Sequence, residues 1–125
     1  MSAHVKLVDT QFVPGGIRVP TVACQVGDAT YEFVAPGHRV GKDVVVRPAL
    51  EVVEDSSVQI RFDKWQVHHE ALSAVLPLTL RSVSVAVQAA REFHDDQGIS
   101  WDSPDAEIWS WSMAFAERVN AGGGR

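Results

Sequence analysis

Apolar and polar side chains alternate most cleanly at residues 58–63, where Val58, Ile60 and Phe62 interleave with Gln59, Arg61 and Asp63. That two-residue period predicts a half-buried β-strand. Less regular apolar runs precede it, divided by turn residues at short intervals. Val5 to Val13 stops at Pro14-Gly15-Gly16, a strong turn signal. Ile17 to Val26 carries Ile17, Val19, Val22, Cys24 and Val26, and Pro20 within it requires an edge strand or a start beyond the proline. Gly27-Asp28 leads into Thr30 to Ala35 at the spacing of a hairpin. Residues 36–43 read as a loop, Val44 to Val53 as a strand interrupted by Pro48, and Asp55-Ser56-Ser57 as the next turn. Strands joined by so few residues favour an antiparallel sheet of about five strands between residues 4 and 63.

The period changes at Trp65. Trp65, His68 or His69, Leu72 and Val75 or Leu76 fall at helical spacing, and Pro77 marks a kink or a new start. Leu76 to Val87 fits two patterns, because Leu76, Leu78 and Leu80 alternate, as do Val83, Val85 and Val87. Yet Leu76, Leu80, Val83, Val87 and Ala90 form a helical stripe, with Arg81, Ser84, Gln88, Arg91 and Asp95 opposite. The helix is preferred, since it runs on into the helix-favouring stretch Ala89 to Phe93. Gly98 predicts its stop. Ser103-Pro104-Asp105 predicts a second start, with Ser as N-cap and Pro at the first helical position. Ile108, Trp111, Phe115 and Val119 form one stripe of that helix, and Trp109, Ser112 and Ala116 the adjacent one, to an end near Asn120. The expected architecture is α+β: the sheet packed against two or three C-terminal helices, with room to curl into a half-barrel. One domain is expected over residues 1–121, followed by a flexible Gly-rich tail at 122–125.

Composition narrows the classes of function. The chain has 125 residues, 46% of them hydrophobic, enough for a core without staples. Its formal charge is −5, and its 11 Lys and Arg residues form no cluster. Nucleic-acid binding by phosphate neutralisation is therefore not expected. Cys24 is the only cysteine, so no intrachain disulfide is available, and a buried inert thiol is the expectation. Neither a signal-peptide pattern nor an apolar run near the ~20 residues of a membrane span is seen. A soluble, cytoplasmic protein is expected.

Four groups of residues carry side chains suited to chemistry or binding. The segment Pro36 to Asp43 has the glycines and the lysine of a phosphate-cradling loop, but Pro36 and Asp43 break the Walker pattern. His68-His69-Glu70 and His94-Asp95-Asp96 hold metal-ligand types. The His94-Asp95 pair resembles that of the HD phosphohydrolases, whose pattern also requires a further His, a distant Asp and a longer helical domain. No metal site or cofactor is expected from this spacing. Ser, His and Asp occur without a nucleophile elbow. The fourth group is the tryptophans: Trp101, Trp109 and Trp111 lie within eleven residues, and Trp109 and Trp111 point about 200° apart on a helix. One of the two needs a cover other than the sheet.

The expected function is that of a non-enzymatic interaction protein, a homodimer formed through Trp101, Trp109, Trp111, Met113 and Phe115. Two alternatives stand beside it. One is a binder of a small apolar ligand in a cavity between sheet and helices. The other is a small enzyme whose polar site contains His68, His69, His94 and Asp95.

Overall fold

The computed structural model describes residues 4–10, 17–20, 24–26, 29–31, 33–54 and 57–121. Strands run in the order β1 (His4–Val8), β2 (Ile17–Pro20), β3 (Cys24–Val26), β4 (Ala29–Tyr31), β5 (Val34–Val40), β6 (Val44–Glu54), β7 (Ser57–His69) and β8 (Ala74–Val75). Helices α1 (Val83–Asp95) and α2 (Asp105–Ala121) follow. The main sheet is ordered β1-β7-β6-β5-β2 and curls into a half-barrel, while β3 and β4 pair as a separate antiparallel hairpin. The turns expected at 14–16 and 27–28, the first two residues of the one expected at 55–57, the side chain of Cys24 and the tail at 122–125 lie outside the described residues, and Ser57 already belongs to β7. Among the described residues no helix is long and apolar enough to cross a membrane.

The α+β class holds, with three differences in detail. The sheet is mixed, because β1 pairs parallel with β7, His4 opposite Ser57 through Val8 opposite Arg61. Short turns force neighbouring strands antiparallel; β1 and β7 are far apart in sequence and carry no such constraint. Among the described residues there are two helices rather than three, since Trp65 to His69 continue β7 instead of starting a helix. Pro36 to Val40, expected as a loop, belong to β5, where β2 pairs along one edge and β6 along the other. Partner strands outweigh the weak strand preference of Pro36, Gly37 and His38.

A bulge in β7 explains the misread helix. Pro48 faces Trp65 and Ala49 faces Arg61, so Phe62, Asp63 and Lys64 are extra residues on β7. Pro48 has no N–H to give the ladder, and a bulge is where a proline fits inside a sheet. The bulge also shifts phase. Phe62 and Trp65 are three apart, yet both are buried on the core side. Beyond it, Val67 is buried in the same cluster, and β8 pairs on the free edge of β7 with Ala74 opposite His69.

Residues 76–82 lie outside any helix. Leu76 N–H donates to the Val67 carbonyl (3.0 Å), and Leu80 bridges to Trp65 in both directions. Helix α1 starts only after Ser82, whose Oγ accepts the Val85 N–H (3.3 Å). Its buried face is Val85, Ala86, Ala89, Ala90 and Phe93, against Val44, Val46, Trp65 and Val67 of the sheet. The three alanines let the helix approach the sheet closely, and Trp65 is wholly buried. Helix α2 packs against the end of α1, with Phe115 in the core and Ile108, Trp111 and Val119 half-buried beside it. At its start the Ser103 hydroxyl accepts from the Ser100 N–H (2.9 Å), while the Pro104 carbonyl accepts the first helical N–H groups.

Candidate functional site

Helix periodicity separates the tryptophans. Trp111 faces inward: its ring meets Phe93 edge-on at 5.1 Å and stacks on Phe115 at 5.5 Å. Its Nε1 donates to Asp96 Oδ2 (3.0 Å), which satisfies the polar end of the ring. Trp101 is half-buried against Phe93 (4.7 Å) and His69 (5.2 Å). Phe115 is buried in the core. Trp109 and Met113, one turn apart on the outer side of α2, are 53% and 44% exposed. An open groove of about 660 Å³ runs beside Trp109, lined also by Val75, Pro77, Trp101, Ala106 and Ile108. Of the five aromatic and sulfur-bearing residues singled out in the sequence, three stabilise the monomer and two stand free on its surface.

The polar candidates divide in a similar way. His69 and His94 line one cavity of about 190 Å³ together with Lys42, Asp43, Ser100 and Trp101. His69 Nδ1 accepts the Leu72 N–H (3.2 Å), so in the neutral ring the proton sits on Nε2. In a neutral His94 ring, Nδ1 donates to Asp95 Oδ1 (3.2 Å), which leaves Nε2 as an acceptor. Gly41, at φ +75°, allows this packing, since a Cβ there would sit 3.3 Å from His94 Nε2. Among the described residues, no three His, Cys, Asp or Glu side chains gather as they would around a metal ion.

His68 belongs elsewhere. Val45 faces His68 and Arg47 faces Gln66 across β6 and β7, whereas Val44, Val46 and Val67 point into the core. Side chains alternate along a strand, so His68 and Arg47 share the sheet face turned away from α1. Further along that face Arg61 holds Asp63 with two hydrogen bonds (3.0 and 2.8 Å), and Glu51 meets Lys64 (3.2 Å). The Asp63 hydrogen bonds raise the Arg61 pKa, and Arg61 lowers that of Asp63. Glu70 is taken by Arg39 at 2.8 Å. Arg47 and His68 are both more than nine-tenths buried, and Arg47 Nη1 and both His68 ring nitrogens have no hydrogen-bond partner. Sequence reasoning passed over Arg47. The available signal was a lone arginine inside the apolar run Val44 to Leu50.

Burial, reinforced by the charge of Arg47, holds the His68 imidazole below its ordinary value of 6.5. The unfolded chain therefore binds a proton that the folded chain refuses. Stability from this group is fully present above about pH 6.5 and declines as pH falls below it. Urea midpoints between pH 7.5 and pH 5 are expected to fall more steeply for the native chain than for His68→Gln; equal slopes would contradict the assignment.

No known protein family, curated protein or solved structure matches the chain.

Proposed function

We propose that this chain is a non-enzymatic interaction module that self-associates through the outer face of α2. The observation that carries the reading is Trp109, more than half exposed next to a groove it helps to line. A large aromatic surface in water is unfavourable, and tryptophan is the residue most often found at the centre of interfaces. The knob and the hole lie on one face of one molecule. A two-fold arrangement lets each copy place Trp109 in the groove of the other, so both are covered by the same contact. Ala106 and Ser110, also on the groove, are small enough to let the second helix approach.

The surface is modest. A 17-residue helix is about 25 Å long, which puts the contact at the small end of specific interfaces. A contact of that size fits a reversible association rather than a permanent dimer. Asp105 and Glu107 at the start of α2 repel their counterparts, so added salt strengthens the association. Sedimentation equilibrium of the native chain and of Trp109→Ser tests this. Losing a hot-spot tryptophan weakens association about 30-fold or more, with the urea midpoint unchanged. A native chain that stays monomeric at several hundred micromolar would overturn the reading.

A further inference from the structure

We infer that Arg47 and His68 together bind a small oxyanion, a carboxylate or a phosphate group, on the sheet face turned away from α1. This site is independent of the α2 surface. Strand register puts the two side chains diagonally across β6 and β7 on one face, where long side chains reach each other. Arg47 is 6% exposed and His68 7%. Arg47 Nη1 and both ring nitrogens of His68 lack a hydrogen-bond partner. Buried donors are almost always satisfied, and a guanidinium keeps its charge even when burial lowers its pKa.

The balance of charge on this face asks for an anion. Glu70 is the acidic group that acts on Arg47, and its carboxylate is already held by Arg39 at 2.8 Å. Glu51 and Asp63 are engaged by Lys64 and Arg61. Arg47 is left as a buried cation with a free N–H, beside an imidazole that stays neutral. A neutral imidazole has one N–H donor and one acceptor nitrogen. An oxyanion accepts from Arg47 and from the imidazole N–H. The other ring nitrogen points to the opposite side of the imidazole, so the oxyanion partners one of the two. The fixed fork of the guanidinium suits two oxygens on one centre. A metal cation is repelled by Arg47, and an apolar ligand leaves all three nitrogens unpaired.

The test is thermal unfolding of the full chain in sodium chloride, sodium acetate and sodium phosphate at matched ionic strength, with the His68 imidazole followed by NMR. The site predicts a saturable rise in midpoint with phosphate or acetate over chloride, and a His68 shift over the same concentration range. A rise with phosphate alone assigns a phosphoryl ligand, and one with acetate alone a carboxylate. Arg47→Met keeps an unbranched apolar stem without the charge and should abolish both effects. Should that variant fail to fold, the His68 titration in the native chain decides on its own. Coincident midpoints in the three salts with an unmoved His68 would overturn the site, as would an anion effect that persists in Arg47→Met. A partner drawn from the chain itself predicts the former result.

Discussion

Trp65→Ala is expected to destabilise the fold by about 3–5 kcal/mol, a large share of the 5–15 kcal/mol typical of a small domain. Trp65 is fully buried at the point where β7 resumes after its bulge. Its Nε1 donates to the Phe62 carbonyl (2.6 Å), closing the bulge from inside, and its ring meets Phe62 edge-on at 5.8 Å. Its backbone pairs with Leu80, tying the segment before α1 to the sheet. Removing the indole opens a cavity and leaves the Phe62 carbonyl without this buried donor. Trp65→Phe keeps most of the volume and should lose clearly less than Trp65→Ala. Urea denaturation measures both; a loss under about 1 kcal/mol for Trp65→Ala would show that the bulge does not depend on this side chain.

The second large effect is expected at Phe93, and it differs in where the loss appears. Phe93 ends the buried face of α1 and holds Trp101 at 4.7 Å and Trp111 at 5.1 Å. Those rings, with Phe115 stacked on Trp111, are how α2 is attached. The Arg118–Glu92 ion pair (2.8 Å) adds little, since the arginine is largely exposed. Phe93→Ala should therefore cost about 3–5 kcal/mol and release α2 before the sheet. Amide exchange should accelerate most in residues 105–121, ahead of β6 and β7. Equal acceleration in helix and sheet would mean that α2 is not separately attached through this cluster.

These two positions mark where the sequence was legible and where it was not. The alternation of Val58, Ile60 and Phe62 revealed the first half of β7, and all three are buried. The polar positions Ser84, Gln88, Arg91 and Asp95 revealed the outer side of α1, and all four are exposed. Period-based reading failed at Trp65 because three inserted residues changed the strand's phase and imitated a helical step. It failed again at Leu76 and Leu80, which are buried from a non-helical segment by pairing with β7. Parallel pairing of β1 depends on a distant contact that no local pattern records. The divergence of Trp109 and Trp111 was readable from helix geometry alone. The Arg47–His68 pair was not, since it exists only through the register of β6 against β7.

The central claim is that Trp109 is covered by a second copy of the chain. Labelling the four tryptophans with 5-fluorotryptophan and following the ¹⁹F spectrum on dilution tests it directly. The account predicts concentration-dependent shifts for Trp109 and for Trp101, which lines the receiving groove, and fixed positions for Trp65 and Trp111. Four resonances that stay unmoved from millimolar to low micromolar concentration would contradict it.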